Sequence, residues 1–96
     1  MTTFEYLTQR RDELLALAAR HRATQVRVFG SVALMRETPS SDIDLLVDFS
    51  PEASLLDLIG LQQDAESLLG RCVDVVTPES VSPFLRERIL AEARSL

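Results

Sequence analysis

The sequence predicts a small α/β protein of the α+β kind, with a mixed sheet of about three strands and helices packed on it. Three short runs of β-branched and other apolar residues end at turn residues, and stretches with helical spacing of leucine and alanine separate them. The 96 residues suffice for one domain over 1–96, near the lower size at which a core is stable without disulfides. Because 46% of the residues are hydrophobic but only 5% are aromatic, we expect an aliphatic core.

The first half of the chain is predicted to form a helix, a strand and a short helical turn. A Thr-x-x-Glu capping box begins the helix, and apolar residues at helical spacing extend it over about 3–20. A β-branched run over 24–29 predicts the first strand, which stops at a Gly-Ser turn. A helical turn is expected over about 31–37, closed by Pro39, because the residue before a proline is displaced from helical geometry.

The second half is predicted to contain two strands and two helices. The run 43–49 is apolar on both faces after its first carboxylates, which favours a central strand. Ser54 is the expected N-cap of the next helix, and Gly70 lies where a left-handed residue ends it. A third strand is predicted over 72–77. From Ser82, followed by proline, a final helix is expected to continue to the end of the chain.

Composition narrows the classes of partner. The net charge of -5 and a pI near 4.7 oppose binding along a nucleic acid backbone, so nucleic acid is not expected as a direct ligand. The first residues lack the features of a secretion signal, and no run approaches the ~18 apolar residues that span a bilayer. We therefore expect a cytoplasmic protein without a membrane partner. The single Cys72 cannot form an internal disulfide, and its apolar neighbours predict a buried thiol.

Two carboxylates stand at the start of the second predicted strand. Asp42 and Asp44 are two positions apart, so their side chains point to the same face, about 7 Å apart at a rise of about 3.3 Å per residue. Unpaired carboxylates this close repel each other and resist desolvation, so a fold that keeps them together usually supplies a cation. Oxygen ligands suit Mg²⁺, whereas one histidine, His21, and one cysteine, Cys72, cannot complete a tetrahedral zinc site.

A third carboxylate, Asp74, lies between two valines in the third predicted strand, where a purely structural sequence would place an apolar residue. If that strand lies beside the second, Asp74 can share a cation with Asp44 or take the proton of an attacking hydroxyl. Other interpretations stay open for each residue alone. Asp74 can be an exposed residue at a strand end, and Ser41-Asp42 can be a plain turn motif.

Gly30 and Ser31 directly follow the first predicted strand and begin the helical turn. Backbone N–H groups at a helix start attract phosphate oxygens, and a glycine allows their close approach. Gly-Ser alone is a weak signal, because it is common in ordinary turns. Together with the acidic pair and the third acid, it is typical of a protein that handles a nucleoside triphosphate with magnesium.

The runs Gly30-Ser31-Val32-Ala33 and Ser41-Asp42-Ile43-Asp44-Leu45-Leu46-Val47 resemble the motifs of minimal nucleotidyltransferase (MNT) domains, which belong to the DNA polymerase beta-like superfamily. The resemblance covers most of the chain and implies the nucleotidyltransferase fold, similar to the polymerase beta palm. It implies a Mg²⁺-dependent reaction with ATP as substrate. By resemblance, the nucleotide-binding residues are Gly30, Ser31 and Ser41, and the catalytic and metal-binding residues are Asp42, Asp44 and Asp74.

The chain departs from the family pattern at Leu34 and Met35, where family members usually carry Arg and Gly. An arginine at that point neutralises phosphate charge with paired hydrogen bonds, which leucine cannot make. Arg36 follows two positions later, about 200° round a helix from the expected arginine. Arg36 can therefore serve as the nucleotide-binding arginine only if the turn is irregular.

The resemblance also implies a partner. Many MNT domains are encoded beside a helical HEPN protein and act as antitoxins, in type VII-like toxin–antitoxin systems, by transferring AMP from ATP to a tyrosine of the HEPN toxin. The length leaves no second domain to bind an acceptor, so we expect the acceptor to be a docked protein. The helix over 54–70 is more apolar than one core stripe requires. This surplus indicates either an interface or a helix that is buried on more than one side.

Three hypotheses follow for the function. The first is a Mg²⁺-dependent protein adenylyltransferase that acts on a HEPN toxin. The second is a nucleotidyltransferase-fold protein, catalytically impaired by Leu34 and Met35, that neutralises its partner by binding. The third is a metal-dependent phosphohydrolase, which would release phosphate from nucleotides without an acceptor.

Overall fold

The mixed sheet has four strands rather than about three, in the order β3-β2-β1-β4. The structure is a computed structural model that describes residues 2–36, 38 and 41–96. Its elements in chain order are α1 (Thr3–Gln9), α2 (Arg11–Arg20), β1 (Ala23–Phe29), α3 (Gly30–Ala33), β2 (Ile43–Phe49), α4 (Leu55–Leu69), β3 (Val73–Val76), a 3-10 turn (Pro78–Ser80), α5 (Pro83–Glu92) and β4 (Arg94–Ser95). The predicted fold class is confirmed.

The sheet is mixed, with antiparallel pairing on one side of β2 and parallel pairing on the other. β1 pairs antiparallel with both β2 and β4, whereas β2 pairs parallel with β3. Parallel neighbours need a crossover connection, and α4 supplies it between β2 and β3. β2 is therefore central, as its apolar run predicted.

The core lies between one face of the sheet and the helices. Because side chains alternate along a strand, every second strand residue points to the same face. The strand residues of that buried face are Val26, Val28, Ile43, Leu45, Val47, Val73 and Val75. They pack against buried residues of α1, α2 and α4, which are Leu7, Leu14, Ala18, Leu61, Ala65 and Leu69. The core is aliphatic, as the composition predicted.

The ends of α4 form as its sequence predicted. Ser54 and Asp57 make a reciprocal capping box, in which the Ser54 N–H donates to Asp57 Oδ2 at 2.9 Å. Gly70 ends the helix in the left-handed conformation, with φ 68°. These caps satisfy backbone groups that a helix end would otherwise leave unpaired.

The expected single helix over 3–20 is wrong, because the chain bends at Arg10 between α1 and α2. The Arg10 N–H donates to the carbonyls of Tyr6 and Leu7, each at 3.1 Å, and the Arg10 guanidinium donates to Tyr6 Oη and to Glu13. No glycine or proline marks the bend, and the apolar spacing continues through it. Periodicity alone therefore did not reveal two helices.

Two further expectations near the carboxyl half are wrong. The last helix does not reach the end of the chain, because α5 stops at Glu92 and β4 pairs with the free edge of β1. A strand of two residues is too short to produce a recognisable pattern. Cys72 is exposed rather than buried, since it precedes β3 at the rim of the sheet.

The helical turn after β1 is shorter than expected. α3 covers only Gly30–Ala33 and is followed by a turn at Leu34 and Met35. Glu37 and Pro39, which were expected to end the turn, lie outside the described residues. Among the helices of the described part, none is long and apolar enough to cross a membrane.

Candidate active site

The sheet places Asp44 and Asp74 side by side. The parallel register of β2 and β3 pairs Asp44 with Asp74, and Phe29 of β1 pairs with Asp44 on the other side. The residues before and after each of these two carboxylates are buried against the helices. Both carboxylates therefore project from the opposite face of the sheet. Asp42 lies exposed just before β2, at the same end of the strand.

The three acids form one electrostatic cluster centred on Asp44. Partial burial raises the pKa of the Asp44 carboxyl, and the negative charges of Asp74 and then Asp42 raise this pKa further. Each effect disfavours the ionised form of Asp44. A bound cation would offset the repulsion between these carboxylates. The negative charge of the cluster is therefore what a cation site requires.

The chemistry of this cluster fits magnesium. Its side chains offer only oxygen atoms, and Mg²⁺ commonly takes one or two protein carboxylates and completes its shell with water and substrate phosphates. Within the described residues, no three His, Cys, Asp or Glu side chains come together closely enough to enclose a metal ion. The arrangement is thus an open acidic edge, with Asp44 paired to Asp74 and Asp42 beside them, rather than a closed protein cage.

Gly30 lies against the Asp44 carboxylate. A Cβ atom at position 30 would overlap Asp44 Oδ2, and Gly30 has a φ of 71°, in the left-handed region. Both the close approach and the backbone conformation require glycine. The turn predicted to bind phosphate is therefore in direct contact with the predicted metal-binding carboxylate.

The turn that follows α3 is irregular. Met35 has a φ of 58°, a left-handed conformation in which a glycine is favoured. Leu34 and Met35 are 39% and 53% exposed, although both are large and apolar. Arg36 is exposed, and its N–H donates to the Ser31 carbonyl at 2.8 Å. The irregularity that would allow Arg36 to approach a phosphate is present, and its contact with nucleotide stays a prediction.

Ser41 is part of a hydrogen-bonded loop in front of Asp42. Its Oγ accepts from the Thr38 N–H at 2.9 Å, and its carbonyl accepts from Arg71 Nη2 at 2.5 Å. Arg71 Nη1 also donates to Thr3 Oγ1 at 2.8 Å, so Arg71 joins the start of α1 to this loop. Sequence reasoning missed Arg71, because its partners are distant in the chain. Nucleotide binding by Ser41 stays a prediction.

The amino-terminal end of α4 carries an exposed apolar surface. Leu55, Leu56 and Ile59 are 69%, 78% and 42% exposed. Further along the helix, Leu61 and Ala65 are buried in the core. Of the two interpretations of the apolar surplus, burial on more than one side is wrong for this end of the helix.

Known proteins are similar to this chain over most of its length. The model of the nucleotidyltransferase domain family matches residues 11–96. A relative from Methanocaldococcus jannaschii, named as a candidate protein adenylyltransferase, is 41% identical over 81 residues, which are 84% of this chain and 87% of the relative. The protein adenylyltransferase MntA of Thermococcus cleftensis is 37% identical over 76 residues, which are 79% of this chain and 77% of that protein.

Solved structures share the fold. The structure of a candidate minimal nucleotidyltransferase superposes with a TM-score of 0.88 at 47% identity, covering 100% of this chain and 97% of that chain. A more distant structure, an AMPylated Shewanella oneidensis HEPN toxin in complex with its MNT antitoxin, gives a TM-score of 0.68 at 20% identity, covering 92% of this chain and 69% of that chain. At that identity the second similarity concerns the fold alone.

Proposed function

This chain belongs to the nucleotidyltransferase domain family, and we propose that it is a Mg²⁺-dependent protein adenylyltransferase, which transfers AMP from ATP to a hydroxyl of a partner protein. The observation that carries the proposal is the register of the sheet, which sets Asp44 opposite Asp74. The contact of Gly30 with Asp44 supports it, because it joins the predicted phosphate turn to the acidic edge.

The residues divide into a metal-holding group and a phosphate-orienting group. Asp42 and Asp44 would hold Mg²⁺, which when bound neutralises triphosphate charge and stabilises the leaving pyrophosphate. The backbone of Gly30 and Ser31 would orient the phosphates, with Arg36 as the nearest arginine along the turn. Positioning and charge therefore supply most of the rate enhancement in this proposal.

The transfer step is an in-line displacement at the α-phosphorus of ATP. The acceptor oxygen forms a bond to this phosphorus, while the bond from the phosphorus to the bridging oxygen of pyrophosphate breaks. The hydroxyl proton passes to a carboxylate at the acidic edge. We assign that role to Asp74, because it is exposed and stands opposite Asp44, where an approaching acceptor can reach it.

We propose a HEPN toxin as the partner, a tyrosine as its acceptor, and an antitoxin role in a type VII-like system for this chain. Support comes from a relative named as MntA and from a fold neighbour that was solved with an AMPylated HEPN toxin. The exposed apolar end of α4, formed by Leu55, Leu56 and Ile59, offers a surface on which a protein partner can bury area.

Labelled ATP tests the proposed reaction directly. Incubation of the unmutated protein with Mg²⁺, labelled ATP and the proposed HEPN partner should label that partner at tyrosine. The double variant Asp42→Asn with Asp44→Asn should abolish labelling, whereas chelation of Mg²⁺ should do so reversibly. Absence of label with the unmutated protein would defeat the proposal. Release of phosphate without an acceptor would instead support a phosphohydrolase.

A second candidate function is neutralisation by binding alone. Leu34 and Met35 stand where family members carry Arg and Gly, and both are exposed beside the phosphate turn. Under this proposal the double aspartate variant still binds the toxin and still protects cells. Protection that disappears while binding persists would refute it and favour the enzyme.

A further inference from the structure

β3 is an edge strand of the sheet, and it carries Asp74. The Ile43 N–H donates to the Cys72 carbonyl at 3.0 Å, so the polar backbone groups of Cys72 face β2. Because these groups alternate along a strand, the N–H groups of Val73 and Val75 face away from β2. They lie on the free edge, where no strand of the described residues pairs with them.

Two side chains of α4 occupy this edge. Glu66 Oε2 accepts from the Val73 N–H at 3.0 Å, and Gln62 Oε1 accepts from the Val75 N–H at 3.4 Å. Glu66 and Gln62 are separated by one helical turn, so they lie on the same face of α4. The two amides that they bind flank Asp74 in the chain. The helix therefore anchors the strand immediately before and after this carboxylate.

The anchoring acts against a repulsive force at the site. β3 has four residues and pairs with β2 only, while Asp74 stands opposite Asp44 with a like charge. Like charges that are directly opposed across two strands are destabilising. Without a second contact, the short edge strand would relieve this repulsion by moving away from β2, and Asp74 would move with it.

We propose that Glu66, assisted by Gln62, is a positioning residue that holds Asp74 in place for AMP transfer. This inference rests on the proposed function. Glu66 acts as a hydrogen-bond acceptor for the strand and not through its charge. Gln62 makes the longer bond and contributes less.

The test compares Glu66→Ala with Glu66→Gln in the complex with the acceptor protein. Glu66→Ala should lower kcat by about tenfold, the effect typical of losing a residue that orients a catalytic group, and leave KM for ATP unchanged. Glu66→Gln keeps an acceptor oxygen and should retain the unmutated kcat. Gln63→Ala is the matched control, because Gln63 lies exposed on the same helix. Amide hydrogen exchange at Val73 should accelerate in Glu66→Ala only.

Each other outcome overturns the inference or a distinct premise. An unchanged kcat in Glu66→Ala, with faster exchange at Val73, would show that Glu66 merely closes the sheet edge. Equal losses in Glu66→Ala and Glu66→Gln would show that the charge matters and not the acceptor. If Glu66→Ala fails to fold, Gln62→Ala supplies the milder test, with a smaller loss of kcat. Absence of transfer by the unmutated protein would defeat the proposed function and this inference with it.

Discussion

The acidic edge and the phosphate turn differ in how the fold holds them. Asp44 and Asp74 belong to paired strands, and the register between those strands fixes their relative position. The phosphate turn consists of a four-residue helix followed by Met35 in a left-handed conformation. The departure from the family motif falls in this irregular turn. In the turn, a change of residue type causes only local backbone strain. At the acidic edge, a change of strand register would displace a whole strand.

Gly30 links the two regions. It follows β1, begins α3 and contacts the Asp44 carboxylate. A change at the turn can therefore reach the acidic edge through this residue. Substitutions in the acidic edge, at Gly30 and in the phosphate turn should therefore separate the contributions of the two regions to AMP transfer.

The largest expected effect comes from Asp44→Asn. Loss of a metal-holding carboxylate removes several kcal/mol of transition-state stabilisation, so the rate of AMP transfer should fall about 10³-fold. Asp48→Asn is the matched control on the same face of β2, where the Asp48 carboxylate accepts from Arg27 Nη2 at 2.9 Å. The assay is labelling of the partner protein. Equal losses in both variants would indicate that the acidic edge holds no special role.

Gly30→Ala should have the next largest effect on activity, because it alters the residue that connects the acidic edge to the phosphate turn. The added Cβ overlaps Asp44 Oδ2 and also meets the left-handed backbone, so activity should fall about 100-fold through displacement of the carboxylate. Gly70→Ala is the control. Gly70 has a similar φ of 68°, but nothing lies within 4 Å of a Cβ there.

Both glycine variants should lose about 1 kcal/mol of unfolding free energy from the backbone conformation, measured by urea titration. Only Gly30→Ala should also lose activity. If Gly70→Ala reduces AMP transfer as strongly, the loss reflects stability, and the contact between Gly30 and Asp44 has no catalytic consequence.

The substitution Leu34→Arg with Met35→Gly tests whether the turn limits activity. The new guanidinium can make charge-assisted hydrogen bonds to phosphate, so KM for ATP should fall about tenfold. Met35→Gly alone should leave KM unchanged and raise the unfolding free energy by about 1 kcal/mol, because it relieves the left-handed strain.

Arg22→Gly is the control for strain relief away from the site. Arg22 has a φ of 64°, but its side chain donates to the Glu52 carbonyl, so its gain in stability should be smaller. A KM for ATP that stays constant in the double variant would place the limitation outside the turn.

The sequence predicted those parts of the site that periodic structure determines. The apolar run over 43–49 predicted a central strand with Asp44 near its start, and the caps at Ser54 and Gly70 predicted the ends of α4. The apolar runs and the helical spacing between them predicted the fold class. Each of these signals is local, since it depends on residues a few positions apart.

The features that sequence reasoning missed depend on contacts between distant segments. β4 exists because β1 has a free edge, and the contact of Glu66 with Val73 depends on how the chain turns at Gly70. Arg71 binds Thr3 and Ser41, which lie in distant segments of the chain. No spacing in the sequence indicates such contacts, because they depend on how distant segments pack in the folded chain.

The smallest expected effect concerns the free energy of unfolding. Without bound metal, repulsion between the carboxylates of the acidic edge lowers this free energy. The pKa of Asp44 is raised above its ordinary value of 3.8 by burial, by Asp74 and by Asp42. A carboxyl whose folded pKa is raised supports folding while it is protonated, and this support is lost as pH rises through the folded pKa.

Asp44→Asn should therefore be more stable than the unmutated protein near pH 7, by about 3 °C in Tm, and equally stable below about pH 4. Thermal unfolding with a chelator present measures this difference. Added Mg²⁺ should raise the Tm of the unmutated protein but not that of Asp44→Asn, because this variant lacks a carboxylate that holds the ion. Asp48→Asn should show no gain near pH 7, since it breaks the ion pair with Arg27. A gain in Tm of Asp44→Asn that persists below pH 4 would contradict the electrostatic origin of the cost and point to better packing around Gly30.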